Sequence, residues 1–131
     1  MKLFIPATAL ITVLGIAWGI RAADDPPADR KQNVMEQKLS HAQGILSGLA
    51  RQDFAAISRE STDLLALAQQ QWIEHDTPEY RAQLKDFWIT LEGIDASAKE
   101  KNLDGATLGY MQLTLSCVKC HKYLRSAQRT E

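Results

Sequence analysis

The chain has 131 residues, of which 45% are hydrophobic and 24% are charged, and its formal net charge is -1. This length is enough for one small domain with a modest core. A nucleic-acid-binding surface normally carries an excess of Lys and Arg, so the near-neutral charge indicates no nucleic-acid partner.

The N-terminus has the pattern of an export signal. Lys2 supplies a positive charge, the run from Leu3 to Ile20 is apolar apart from Thr, Gly and Pro, and Ala22-Ala23 offers small residues for cleavage. We predict a cleaved signal peptide over residues 1–23. An uncleaved anchor is the alternative, since about 18 apolar residues are just enough to cross a bilayer. In both cases the rest of the chain is delivered outside the cytoplasm, and a membrane is a partner only if the segment is retained.

Residues 24–28 form a polar, proline-bearing spacer, and residues 29–131 have the apolar periodicity of helices. The first predicted helix covers Asp29 to Ala50. The second covers Phe54 to Ile73 and is capped by Asp53. The predicted inward stripes are Met35, Leu39, Ala42, Leu46 and Leu49 in the first helix, and Phe54, Ile57, Ser61, Leu64, Ala68 and Trp72 in the second.

Thr77-Pro78-Glu79 is a strong helix start, because threonine caps the helix, proline fits its first position and the acid faces the positive end of the dipole. The third predicted helix continues to Lys101, and the fourth covers Gly105 to Ala127 with Asp104 as its cap. Four helices of similar length, joined by short connections, predict an all-α, antiparallel up-down four-helix bundle. The inward residues of the last two helices are Tyr80, Leu84, Phe87, Leu91, Ile94 and Ala98, then Ala106, Tyr110, Leu113, Cys117, Leu124 and either Cys120 or His121.

Both cysteines of the chain lie in the stretch Cys117-Val118-Lys119-Cys120-His121. On a helix, residues three and four positions apart share a face, so Cys117, Cys120 and His121 point to the same side. Cys-x-x-Cys-His is the pattern of covalent haem attachment, in which two thiols add to the vinyl groups and the imidazole ligates the iron. We therefore predict one covalently attached haem c, held by Cys117 and Cys120, with His121 as an axial ligand.

Three other interpretations of the two cysteines fit less well. A zinc site normally needs four protein ligands, and only His41 and His75 are left to complete one with His121. A thioredoxin-like redox pair would accompany alternating strands and helices, and the sequence has no strand pattern near the motif. A structural disulfide is the remaining alternative in an exported chain.

The export signal, the four helical segments and the Cys117–His121 motif in the last helix resemble the class II c-type cytochromes, the family of cytochrome c′ and its low-spin relatives. The resemblance covers nearly all of the chain after the spacer. It implies that the first helix faces the distal side of the haem, where the sixth iron position is open in cytochrome c′ and filled by a methionine in the low-spin members. Met35 matches this distal position, and Arg125 matches an arginine near the haem.

The residues themselves also single out Met35. Met1 lies in the signal segment, and Met111 lies on the same helix as His121, ten residues or roughly 15 Å away along the axis. His41 lies off the inward stripe. Met35 is thus the soft ligand on an inward face of a different helix, and core packing is the alternative role for a methionine at such a position.

These residues predict a periplasmic one-electron carrier in which His121 and Met35 ligate the iron. We expect no enzyme activity, because the sequence shows neither a paired acid and base nor a nucleophile constellation. The alternative function is a five-coordinate haem protein that binds nitric oxide or carbon monoxide, as cytochrome c′ does.

The predicted partners are redox proteins. A basic rim near the end of the fourth helix suits an acidic partner surface, although cations are also favoured there by the helix dipole alone. The resemblance further implies a homodimer, since class II relatives often pair through their first two helices. The residues of the rim are Lys119, Lys122, Arg125 and Arg129.

Overall fold

The computed structural model describes residues 27–72 and 77–129, and these residues form an all-α, antiparallel four-helix bundle, as the sequence predicts. Each helix packs against the next one along the chain, and α4 also contacts α1 less extensively. None of the described helices is long and apolar enough to cross a membrane. The predicted signal segment, residues 1–23, lies outside the described residues. The helices are α1 (Pro27–Arg51), α2 (Phe54–Gln69), α3 (Pro78–Lys99) and α4 (Leu103–Ala127).

The helix boundaries differ from the predicted ones by a few residues. α1 begins at Pro27, two residues before the predicted start, because proline needs no hydrogen-bond acceptor in the first turn of a helix. Residues 27 and 28, at the end of the spacer predicted over residues 24–28, therefore belong to α1. α2 ends at Gln69 instead of Ile73, and its last backbone groups close into tighter i to i−3 turns over residues 69–72.

Trp72 consequently does not continue the inward stripe of α2, which corrects its predicted position. Its side chain is 37% exposed, and its ring packs on Trp88 of α3 with a centroid distance of 5.2 Å. An aromatic pair at this separation stabilises the start of the connection between α2 and α3.

The turn between α1 and α2 is short and is closed by hydrogen bonds. Gln52 takes a left-handed conformation with φ of 55°, and the N–H of Asp53 donates to the Gly48 carbonyl at 2.9 Å. The Asp53 carboxylate then accepts from the Ala56 N–H at 3.0 Å. The predicted cap at Asp53 is confirmed.

The turn between α3 and α4 repeats this construction. Lys101 is left-handed with φ of 57°, and the N–H of Asn102 donates to the Ser97 carbonyl at 2.8 Å. The Asn102 side chain accepts from the Gly105 N–H at 2.9 Å. Asn102 is therefore the cap of α4, and the prediction of Asp104 was wrong, since α3 ends at Lys99 and Asp104 lies in the first turn of α4.

The main core lies between the helix halves that flank these two turns. Gly48 lets α2 approach α1 closely, because a Cβ at this position would lie 2.8 Å from the Ile57 Cγ1. Leu46, which was predicted to point inward, is exposed, and Ile45 is buried instead. Residues three and four positions after Ala42 both flank the same face of the helix, and α1 packs with the side that carries Ile45, which explains this error. Leu39 is also exposed, but it faces a cavity between the helices. The core residues are Ile45, Leu49, Ile57, Leu64, Leu91, Ile94, Ala98, Ala106 and Leu113.

A smaller cluster lies toward the other end of the bundle. Ala68, Tyr80 and Leu84 are its buried members. Residues from the second half of α4 pack against it, among them Cys120 and Leu124. The haem-attachment motif predicted from the sequence is therefore at the end of the bundle opposite the two short turns.

Candidate functional site

A cavity of about 330 Å³ opens beside the smaller cluster, and all four helices or their flanking residues contribute to its wall. This volume is at the lower end of the range for small-molecule pockets. The wall contains Met35, Lys38, Leu39 and Ala42 from α1, Leu64 and Gln71 from α2 and its end, Tyr80, Gln83, Leu84 and Phe87 from α3, and Ser116, Cys117, Cys120, His121 and Leu124 from α4.

α4 presents the two thiols and the imidazole along one side of this cavity. Cys117 and Cys120 are half-buried and free, whereas His121 is exposed at the rim. Burial raises the pKa of both thiols, and the Lys38 ammonium partly opposes this effect. The thiols are therefore protonated at neutral pH, which is unlike the activated thiolate of a thiol–disulfide oxidoreductase.

α1 forms the facing wall with Met35 and, one turn later, Lys38. Met35 is half-buried and shares the cavity with His121, so the structure brings the two predicted iron ligands to one space. The Lys38 Nζ donates a hydrogen bond to the Gln71 Oε1 and lies 5.5 Å from the centre of the Phe87 ring.

Lys38 was not predicted as a site residue. Burial lowers its pKa to about 8, although the nearby Cys120 and Cys117 thiols act to raise it. A buried ammonium on an apolar wall is uncommon unless it has a function or a partner. The signal in the sequence was its position three residues after Met35, which puts both side chains on the same face of a helix.

The α3 wall contains a polar atom without a partner. The Gln83 Oε1 is buried and accepts no hydrogen bond from the described residues. Its neighbour on the wall, Tyr80, donates from its hydroxyl to the Gln71 carbonyl at 3.5 Å. A buried unsatisfied acceptor costs about 1–3 kcal/mol, so a cavity lined by such an atom suits a ligand that brings a polar group as well as apolar surface.

Arg125 does not line the cavity. It is exposed in the last turn of α4, and the other members of the basic rim, Lys119, Lys122 and Arg129, are also exposed. The Lys119 Nζ lies 3.9 Å from an Asp86 carboxylate oxygen, and both side chains are largely exposed. The rim thus presents its positive charges to the solvent beside the motif.

His41 also lies away from the cavity, as its position off the inward stripe predicts. Its Nδ1 forms a hydrogen bond with the Glu60 carboxylate at 2.8 Å. These two side chains and Asp63 have ligand-type atoms within 4.8 Å of one another. The other histidine considered as a zinc ligand, His75, is outside the described residues.

The end of α4 is tied to the start of α3 by a side-chain contact. The Tyr123 hydroxyl and the Thr77 Oγ1 are 2.9 Å apart, and the same Thr77 oxygen accepts from the Tyr80 N–H at 3.2 Å. This contact fixes the last turns of α4, and with them the wall that carries Cys120 and His121.

Comparison of the chain with protein-family models, with curated proteins and with solved structures gives no match. What the cavity can do chemically follows from its own side chains. Two thiols, a thioether and an imidazole, set in an apolar wall, are soft and borderline ligands that suit a covalently attached metal cofactor.

Proposed function

We propose that the protein is a monohaem c-type cytochrome, similar to the class II cytochromes, that carries single electrons outside the cytoplasm. The observation that carries this proposal is the convergence of Cys117, Cys120 and His121 from α4 with Met35 from α1 on one cavity. These residues are separated by more than half of the chain, and the fold brings them together.

The cavity wall fits a haem c in its chemistry. Cys117 and Cys120 would hold the group through thioether bonds, and His121 and Met35 would offer a nitrogen and a sulfur to its iron from two helices. Leu84 and Phe87 add apolar surface. When bound, the haem would supply a one-electron couple between ferrous and ferric iron.

The chain's own residues would favour the reduced state. A methionine sulfur raises the reduction potential relative to harder ligands, and an apolar wall disfavours the additional positive charge of the oxidised state. The Lys38 ammonium on the same wall acts in the same direction by charge repulsion. A bundle with a buried core also holds α1 and α4 in place, so little structure has to change when one electron is gained or lost.

The proposed setting is the periplasm, with residues 1–23 as a cleaved signal. Redox proteins with an acidic surface are the proposed partners, because the exposed basic rim of α4 lies next to the motif. We propose no enzyme activity, because the transfer of single electrons requires no side-chain acid, base or nucleophile.

The first test is whether haem is attached. The chain is exported in a host with a c-type haem maturation system, and the denatured protein is examined by haem staining and optical spectroscopy. We expect haem that stays attached in a denaturing gel, and its loss in the double variant Cys117→Ser, Cys120→Ser. A wild-type chain without attached haem would refute the proposal.

The second test concerns Met35. We expect a low-spin spectrum that does not change when carbon monoxide is added to the reduced protein. The variant Met35→Ala should have a lower potential and a new open coordination site. Met111→Ala is the matched control, because Met111 is exposed on the outer side of α4. If the spectrum of Met35→Ala is unchanged, Met35 has a role in core packing and does not ligate the iron. If the wild-type spectrum is high-spin and shifts with carbon monoxide, the gas-binding function is favoured instead.

A further inference from the structure

A second apolar stripe runs along α4, on the side of the helix opposite the core. At 100° per residue, this stripe is centred roughly 170° from the mean direction of the buried residues Ala106 and Leu113. Contiguous exposed apolar surface of this kind commonly marks an interaction site. The stripe contains four exposed side chains, Leu108, Met111, Leu115 and Val118, whose exposed fractions are 67%, 61%, 70% and 52%.

The stripe has a charged residue at each end. Asp104 precedes Leu108 by four positions, and Lys122 follows Val118 by four positions. The full spacing from Asp104 to Lys122 is four, three, four, three and four, which is the a/d spacing of a coiled coil. This spacing reads the same in both directions and is centred on residue 113.

We propose that this outer face of α4 binds the same face of a second copy of the chain, with the two helices antiparallel and a two-fold axis near residue 113. In this pairing Asp104 lies opposite the partner's Lys122, Leu108 opposite the partner's Val118, and Met111 opposite the partner's Leu115. The contact is roughly 27 Å long along the helix. One patch that is complementary to itself is what a two-fold interface requires.

Charge excludes the parallel arrangement of the same two faces. There Asp104 would lie opposite the partner's Asp104, and Lys122 opposite the partner's Lys122, so both ends would repel. The antiparallel arrangement places opposite charges together at both ends. The favoured occupant of the stripe is therefore a second copy in one orientation.

This interface is separate from the cavity of the proposed haem site, and it shares Lys122 with the basic rim. Cys117, Cys120 and His121 line the cavity on the inner and lateral side of α4, whereas Met111 and Leu115 lie on the outer side. The interface also differs from pairing through the first two helices, which the family resemblance implies. The inference does not rest on the proposed function, and its test measures molecular mass rather than any property of haem.

The first test measures the mass of the purified full chain by sedimentation velocity over a range of protein concentrations. We expect the mass to approach that of a dimer as concentration rises. Leu115→Lys should raise the dissociation constant of the dimer about 10-fold or more, because it places two ammonium groups near the two-fold axis of an apolar contact. The matched control is Ile89→Lys on α3, which changes a side chain that is 56% exposed and lies outside the stripe, and it should leave the mass unchanged.

The second test checks the orientation by exchanging charges. Asp104→Lys and Lys122→Asp should each weaken the dimer, and the double variant should restore it, with circular dichroism confirming an unchanged helix content. The proposal is overturned by a chain that stays monomeric at all concentrations, by a dimer that tolerates Leu115→Lys, or by a double variant that does not recover. If the chain is monomeric, resistance of Met111 to oxidation would show that another segment of the chain, and not a second copy, covers the stripe.

Discussion

Replacing Lys38 by methionine should stabilise the haem-free bundle at neutral pH. The pKa of Lys38 is lowered from 10.5 to about 8, with burial as the main cause. At about 1.4 kcal/mol for each pH unit, this difference corresponds to about 3 kcal/mol against the charged form. Methionine has a similar length and no charge, but it leaves the Gln71 side chain without its donor, which costs about 1 kcal/mol. The expected net gain in the free energy of unfolding is therefore about 2 kcal/mol at pH 7.

The gain should depend on pH in a defined window. Below pH 8 the lysine is protonated in both the folded and unfolded chains, so the wild type bears the full cost of the buried charge. Between pH 8 and 10.5 the unfolded chain binds more protons at this site, so the wild type becomes more stable as pH rises. The advantage of Lys38→Met should shrink across this window. Titration of Cys117 and Cys120, whose pKa values are raised by burial, has the opposite sign. In Lys38→Met both pKa values should rise further, because the ammonium that lowers them is gone, and this change also reduces the advantage of the variant as pH rises.

Urea unfolding followed by circular dichroism at several pH values measures this difference. Lys85→Met is the matched control, because Lys85 is an exposed lysine within α3, and its replacement should change the free energy of unfolding by less than about 0.5 kcal/mol. The reasoning about Lys38 is refuted if Lys38→Met is no more stable than Lys85→Met at pH 7. It is also refuted if the gain persists unchanged at pH 10.5.

Two further predictions concern helix packing and helix ends. Gly93→Ala should stabilise the bundle by about 1 kcal/mol, because no atom outside the neighbouring backbone of its own helix lies within 4 Å of the added Cβ. Gly48→Ala should instead destabilise it by about 1–3 kcal/mol, because its Cβ would meet the Ile57 Cγ1 at 2.8 Å. Equal changes in the thermal unfolding temperature of Gly93→Ala and Gly48→Ala would contradict the close approach of α2 at Gly48. Asn102→Ala should cost about 1 kcal/mol through loss of the α4 cap. Asp104→Ala should cost about 0.5 kcal/mol, since only its interaction with the helix dipole is lost. A larger loss of stability in Asp104→Ala than in Asn102→Ala would indicate that Asp104 is the cap.

The four helices and the faces of three of them could be predicted from the sequence because periodicity and caps are local signals. Thr77 and Asp53 cap their helices as predicted, and the Cys117–His121 motif lies on the cavity side of α4. The start of α4 could not be predicted as well. Asp and Asn are both good caps, and the left-handed turn at Lys101 that selects Asn102 depends on how α3 ends.

The sequence singled out Met35, Cys117, Cys120 and His121, which all line the cavity, but it did not indicate Lys38. Lysine is usually placed at the surface, so Lys38 was passed over although it lies one turn from Met35. Its burial depends on the Gln71 side chain and the Phe87 ring, which reach it from elements far away in the sequence. Tertiary contacts of this kind leave no periodic signal in any single segment.

The matching turns at Gln52 and Lys101 make the bundle a pair of similar helical hairpins. Each hairpin is closed by its own turn, and Met35 belongs to one hairpin while His121 belongs to the other. A small rotation between the hairpins would change the separation of these two side chains while both turns stay intact. The core between the hairpins, which includes Ile45 and Leu91, thus sets the angle between them and with it the separation of the Met35 and His121 side chains.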